Sequence, residues 1–187
     1  MFCCGSLSPE LIRRQVDNTS WEPSEYEIML IKATWSDNED DLTKLGASIY
    51  VYIFENYPEV KHFFPKIHQH GENWKESKEF HMQGYFFAQT LSRVVDNIAQ
   101  TDLVKPFLYK IGARHVSYSK LYGFRPHYWD LFQEAMAHVI SGKVRTTQDY
   151  LDNTQKNDAV AVWKRLAIFI VDNLKAGYDE TRFMGSK

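Results

Sequence analysis

The chain has little cysteine and no long apolar run. Its two cysteines, Cys3 and Cys4, are neighbours in sequence, a spacing at which a disulfide is strained, so a disulfide framework is excluded. A reducing cytosol is therefore the expected compartment. No apolar stretch approaches the roughly 20 residues that a membrane-spanning helix needs, and the N-terminus lacks the basic start and apolar block of a secretory signal.

An excess of one charge is also missing. The formal net charge is −2, and acidic and basic residues are mixed along the chain without a basic patch, which argues against nucleic acid as a partner. Cys3 and Cys4 are candidates for S-acylation, which would tether a cytoplasmic domain to a membrane. An inert, flexible tail is the simpler interpretation and is favoured. Phe2 excludes N-myristoylation.

What the chain does have is apolar and aromatic residues at helical spacing. Hydrophobic residues make up 44% and aromatic residues 15% of the 187 positions, enough for one domain with a substantial core. Strand-like alternation, repeats and low-complexity tracts are absent from the sequence. An all-α fold is predicted, with a flexible extension over 1–23, the domain itself over 24–180 and a tail over 181–187.

Capping and proline signals divide this domain into six or seven helices. Ser24 with Glu27 forms a capping-box pattern at the start of the first helix, and Asp158 is a candidate cap for the last one. Polar connections are expected over 66–75 and 144–157, with room for some helix in the second. The predicted helices cover residues 24–36, 41–56, 76–99, 103–118, 125–141 and 158–177.

His115 is the residue that points most directly to chemistry. It lies four residues after Ile111, so on a helix the two side chains share one apolar face. Burying an imidazole there is costly unless its nitrogens find partners, and a metal ion is one such partner. A lone helical histidine is more often a satisfied structural residue, so the case for a metal ligand depends on the segments upstream.

Two upstream segments supply that context. Pro58 ends the second helix, and the aromatic pair Phe63-Phe64 that follows is expected to be buried at a corner. In the long helix over 76–99, apolar and small residues fit one helical face. These residues are Phe80, Gly84, Phe87, Ala88, Leu91, Val94, Val95 and Ile98.

Taken in order, these segments resemble the globin family over roughly residues 25–180. Trp35 is similar to the tryptophan of the family's first helix, and Phe64 to the phenylalanine that packs on the haem. His115 is similar to the proximal histidine that ligates haem iron. Two further stretches resemble the end of the fifth helix and the core of the last one, namely 94–98 and 163–166.

The resemblance implies a fold and a cofactor. The expected fold is the globin fold, with six to eight helices packed around haem b, which is iron protoporphyrin IX. Besides His115 and Phe64, Phe87 and Ile111 are candidates for contact with the cofactor, although ordinary packing explains Phe87 equally well.

Two glycines support this register. In the globin fold the second and fifth helices cross at close range, which requires small residues on both helices. Gly46 lies where the crossing is expected on the second helix, and Gly84 is its natural counterpart. Because a glycine in a helix interior costs about 1 kcal/mol relative to alanine, two glycines at matching positions suggest close backbone approach.

The register leaves two candidates for the distal side of the haem. Gln83 directly precedes Gly84 and would face the bound ligand together with Tyr50, a pair similar to the distal pair of some nematode haemoglobins. His81 is the alternative, and it lies about 200° around the helix from Gln83, so only one of them faces the iron. The apolar pattern favours Gln83, whereas histidine is the commonest distal residue of the family. A distal His81 would join His115 as a second metal ligand.

The resemblance implies a protein that binds O2 or another diatomic gas reversibly, for storage, transport or sensing. An iron held by His81 and His115 would instead suit redox or gas-sensing work. Weak nitric oxide dioxygenation or nitrite reduction is a third expectation, and it would require a separate reductase as partner. A helical interaction domain without a cofactor is the non-haem alternative, against which the presence of both His115 and Phe64 argues.

Overall fold

The computed structural model describes residues 20–147 and 150–184, and every regular element in these ranges is a helix. The all-α prediction is confirmed for this part of the chain. Cys3 and Cys4, the candidates for S-acylation, lie outside the described residues. The α-helices are α1 (Glu25–Thr34), α2 (Glu39–Asn56), α3 (Pro65–His68), α4 (Lys78–Asp96), α5 (Thr101–Tyr122), α6 (Tyr128–Thr147) and α7 (Asn153–Met184).

Short polar side chains cap the N-termini of several of these helices. The Ser24 hydroxyl accepts from the Glu27 backbone N–H while the Glu27 carboxylate accepts from the Ser24 N–H, which confirms the predicted capping box of α1. Asn38 caps α2 by accepting from the Asp40 and Asp41 amides, and Ser77 caps α4. The start of α2 therefore falls two residues earlier than the sequence predicts, and the start of α4 two residues later.

The connections are more helical than expected. The polar stretch over 66–75 contains α3 and most of a 3-10 segment, Gly71–Glu76, because Pro65 and Gly71 favour tight turns there. The connection expected over 144–157 is helical over most of its described length, because α6 continues to Thr147 and α7 already begins at Asn153. Val144, which the expectation left outside a helix, is buried in the core.

The last helix is capped by a residue other than the predicted one. Asp152 accepts from the Gln155 N–H, and the Gln155 side chain accepts from the Asp152 N–H, which forms a second capping box. Asp158 lies inside α7 and accepts from the Tyr26 hydroxyl, so it ties α1 to α7. The helix continues to Met184, beyond the predicted end near 177 and beyond the boundary drawn at 180.

The segment just before α1 is anchored to the core. The Trp21 ring packs edge-on against Phe169, and the Trp21 carbonyl accepts from the Thr101 hydroxyl at 2.7 Å. Trp21, which the expected extension over 1–23 includes, is therefore anchored to the helical domain. Trp35, directly after α1, packs against Trp163 at a centroid distance of 5.7 Å, which brings together two residues on which the resemblance depends.

The two predicted glycines do lie at a helix crossing. A Cβ atom built on Gly46 would overlap the carbonyl group of Gly84, and one built on Gly84 would lie 2.8 Å from the Ala47 nitrogen. The backbones of α2 and α4 are therefore in direct contact. A second crossing, which the sequence analysis missed, brings Gly112 of α5 and Gly177 of α7 against the opposite backbone.

These crossings position the domain core. α2 lies against α4 and α6, while α7 packs along α5, α6 and α1. The core residues come from all of these helices. None of the described helices is long and apolar enough to cross a membrane.

Replacing Gly46 with alanine is expected to destabilise the protein. The added methyl group overlaps the α4 backbone, which cannot move without disturbing the core, so we expect a loss of about 1–3 kcal/mol in the free energy of unfolding. Urea denaturation followed by circular dichroism measures this loss. The matched control is Gly142→Ala at an exposed position of α6, where the added Cβ would meet no neighbouring group within 4 Å beyond the local helix backbone. That variant should gain about 0.5–1 kcal/mol from helix propensity, and equal losses in both variants would contradict the crossing.

Candidate functional site

A buried tyrosine and a glutamine form one wall of the candidate site. Tyr50 lies on α2, one helical turn after Gly46, and Gln83 lies on α4, directly before Gly84. The Gln83 amide donates a hydrogen bond of 2.7 Å to the Tyr50 hydroxyl oxygen. The helix crossing therefore brings together the two side chains that the sequence analysis paired.

Aromatic rings enclose this pair. The Tyr50 ring lies 5.4 to 5.8 Å, centroid to centroid, from four phenylalanine rings, those of Phe54, Phe64, Phe87 and Phe132. Only 3% of Tyr50 is exposed, and its burial raises the pKa of the hydroxyl, while the Gln83 hydrogen bond lowers it by less. Tyr50 is therefore a neutral hydroxyl. Because Gln83 donates to its oxygen, the Tyr50 proton is available to a ligand.

His115 has one nitrogen occupied and one free. Its Nδ1 donates to the Ile111 carbonyl one turn earlier, at 2.8 Å, which fixes the tautomer and the orientation of the ring. Burial lowers the pKa of the imidazole, and the bond to Ile111 opposes this shift. Within the described ranges Nε2 has no hydrogen-bond partner. The ring is therefore neutral, and its Nε2 lone pair is available to a metal.

Aromatic side chains also surround His115. Its ring lies 5.1 Å from Trp129, 5.2 Å from Phe124 and 5.4 Å from Tyr118, and Tyr178 of α7 packs behind Trp129. The sequence analysis missed Phe124, Trp129 and Tyr178 as neighbours of His115. The available signal was the density of aromatic residues directly after the His115 helix, at positions 124, 128 and 129.

His81 lies apart from this arrangement. Its side chain is exposed, and its ring contact is with the neighbouring Phe80. α4 is a continuous α-helix from Lys78 to Asp96, so it contains no bulge that would turn His81 to the side of Gln83. Among the predicted site residues, the structure brings together Tyr50, Gln83, Phe64 and Phe87, and it leaves His81 outside.

The donor set decides which kind of metal group fits. Across the described ranges, no three His, Cys, Asp or Glu side chains converge to hold a metal ion. A bare zinc or calcium ion requires about four or more ligands, so a single free imidazole nitrogen does not hold one. A metal that brings its own planar ligand needs only one axial nitrogen and apolar walls. The free Nε2 of His115 and the surrounding aromatic side chains meet these two requirements, which are those of a haem group.

Comparison with protein families agrees with this geometry. A family model described as Globin matches residues 47–172, more than half of the 187-residue chain. The matched range contains α4 and α5 complete and all of the residues that form the candidate site, apart from Tyr178.

Distant relatives show the same similarity. The chain is 22% identical to globin-related protein glb-13 of Caenorhabditis elegans, over 82% of this chain and 52% of the relative, so it spans about half of that protein's length. It is 23% identical to cytoglobin-2 of Oryzias latipes, over 63% of this chain and 65% of the relative. It is 29% identical to myoglobin of Hemitriakis japanica, over 59% of this chain and 71% of the relative.

A double-mutant cycle on Tyr50 and Gln83 tests the hydrogen bond between them. Tyr50→Phe keeps the ring in its aromatic surroundings and removes only the hydroxyl, while Gln83→Leu removes the donor. We expect a coupling free energy of about 1 kcal/mol in urea unfolding, because each single variant leaves a buried polar partner unpaired. Additive losses would contradict the contact. Gln89→Leu, at an exposed position of the same helix, is the control and should couple to Tyr50→Phe by less than about 0.5 kcal/mol.

Proposed function

The chain belongs to the globin family, and from this we propose that it binds haem b through His115 and binds a diatomic gas reversibly, O2 being the expected ligand. Globins generally bind haem, and the haem supplies the iron at which the gas binds. His115 is proposed as the proximal ligand, Phe64 and Phe87 as part of the pocket wall, and Tyr50 with Gln83 as the distal pair.

The observation that carries this proposal is the state of the His115 ring. The Ile111 carbonyl holds the proton on Nδ1, so Nε2 presents a lone pair from a neutral imidazole. A second-sphere hydrogen bond of this kind orients a ligating histidine and raises its basicity. The rings of Phe124 and Trp129 limit the orientations open to the imidazole. The ring therefore loses little rotational freedom when its nitrogen coordinates a metal.

The distal pair supports gas binding with slow release. Tyr50 has a free hydroxyl proton, and Gln83 has a second amide hydrogen, so both can donate to a polarised diatomic ligand. The enclosing phenylalanine rings keep the local dielectric low, which strengthens such bonds. Carbon monoxide is less polarised than dioxygen and gains less from these donors. A pocket with these two donors therefore binds O2 more tightly than a purely apolar pocket would.

An iron held by both histidines is the competing arrangement. It would require α4 to rotate or shift until exposed His81 takes the position of Gln83, which would break the Tyr50 hydrogen bond. The geometry therefore supports an open site. Turnover of nitric oxide or nitrite, with a separate reductase as the electron donor, stays an expectation from the resemblance.

The His115→Ala variant is expected to lose haem. Removing the imidazole takes away the axial nitrogen, so the purified variant should show little Soret absorbance after haem addition. His81→Ala is the matched control and should take up haem like the unchanged protein, because that side chain is exposed. Absorption spectra of the reduced, gas-free proteins add a second readout, with one broad visible band for an open site. Full colour in His115→Ala would overturn the proposal, and sharp, split bands that His81→Ala abolishes would favour the two-histidine iron.

Gln83→Leu and Tyr50→Phe are expected to release O2 faster. Each variant removes one hydrogen-bond donor to the bound O2, which costs about 1–2 kcal/mol of binding free energy. The O2 dissociation rate should therefore rise about tenfold. Stopped-flow displacement of O2 by carbon monoxide measures this rate. Gln89→Leu is the control on the exposed face of α4 and should leave the rate unchanged. An unchanged rate in both distal variants would remove Tyr50 and Gln83 from the ligand pocket.

A further inference from the structure

A cavity lies at the end of the helix that carries His115, and none of its lining residues belongs to the candidate site around Tyr50, Gln83 and His115. Its volume is about 530 Å3, and it opens to solvent between the end of α5, the connection to α6 and the end of α7. The residues that line it are Ser119, Gly123, Arg125, Pro126, His127 and Arg182. Small-molecule pockets in proteins have volumes of about 300–1,000 Å3, so this cavity is large enough for a small organic ligand.

Several backbone groups around the cavity are hydrogen-bonded to one another. Gly123 ends α5 with a positive φ of 74°, and its N–H donates to the Ser119 carbonyl. The Tyr128 N–H donates to the Arg125 carbonyl at 3.0 Å, which closes a turn around Pro126. The Gly123 and Tyr128 amides are occupied by these hydrogen bonds. The arginine, histidine and serine side chains are therefore the groups that a ligand would contact.

The lining carries positive charge without a carboxylate. Arg125, His127 and Arg182 face the cavity, and none of its six lining residues is acidic, although the whole chain has a net charge of −2. Arg125 forms no ion pair with any residue in the described ranges. Asp179, whose pKa is raised by burial and lowered by Arg182, lies one turn earlier on α7 and outside the lining.

We propose that this cavity binds a small organic anion that carries a phosphate group, such as a phosphate monoester or a diphosphate. A guanidinium donates two parallel hydrogen bonds to phosphate oxygens, and two arginines from different segments, the connection before α6 and the end of α7, can hold one phosphate group from two sides. The Ser119 hydroxyl has no hydrogen bond within the described ranges and adds a neutral donor to the site. The ligand would join the connection between α5 and α6 to the end of α7.

Isothermal titration calorimetry with inorganic pyrophosphate tests the site on the full-length protein. The ionic strength is held constant with sodium chloride, so that only the anion changes. We expect binding to one site per chain, weakened about tenfold by Arg125→Gln because a charge-assisted bidentate contact is lost. Arg182→Gln should weaken binding as well.

Arg145→Gln is the matched control. It removes the same charge from an exposed arginine of α6 that lies near the other end of the helix, so binding should stay within twofold of the unchanged protein. Amide chemical shifts in 15N spectra give a second readout, and pyrophosphate should move the Gly123 resonance most. Equal weakening in Arg125→Gln and Arg145→Gln, or shifts spread evenly over the chain, would overturn the proposal.

The same titration on haem-free and haem-loaded protein separates this site from the cofactor. We expect equal pyrophosphate affinity in both forms. Loss of binding on haem addition would assign the cavity to the carboxylates of the haem and overturn a separate anion site. Because the haem-free form is tested directly, a failure of haem binding and a failure of anion binding are distinguishable.

Discussion

The backbone contact between α2 and α4 is the constraint on which the candidate gas site depends. At Gly46 and Gly84 the two helix backbones touch without side chains between them, so a rotation or slide that brought a Cβ atom into the contact would cause a clash. Tyr50 is one turn after the first glycine, and Gln83 is next to the second. A slip of one residue would turn Gln83 by about 100° away from Tyr50 and break their hydrogen bond. Two residues without side chains thus determine where the polar groups of the pocket lie.

Much of the fold is readable from the sequence where a local signal exists. The Ser24 capping box and the glycine pair were predicted because each has a mechanism that acts within one helix or one crossing. The start of α7 was misplaced because Asp158 precedes an apolar run, while the true cap, Asp152, precedes a first turn that is exposed and therefore polar. Polar residues are common on the outer face of a helix, so their presence alone does not indicate a connection.

The candidate site likewise has contacts that a local sequence signal predicts and contacts that no such signal predicts. The local pairings of His115 with Ile111 and of Gln83 with Gly84 are separated by four residues or fewer, and sequence spacing captures them. Phe124 and Trp129 come to His115 through the corner after α5 and the packing of α7, which no periodicity encodes. The crossing of α5 with α7 at Gly112 and Gly177 was missed for a related reason, because no proline or cap marks the register between these helices.

The position of Trp129 gives the protein an internal optical reporter. This indole is 4% exposed, and its ring lies 5.1 Å from the imidazole that is proposed to hold the iron. A haem bound at His115 would lie within the range of resonance energy transfer from this indole and would quench its ultraviolet emission. A fall in tryptophan fluorescence would thus report cofactor uptake without a label, in the same cuvette in which gas binding is followed.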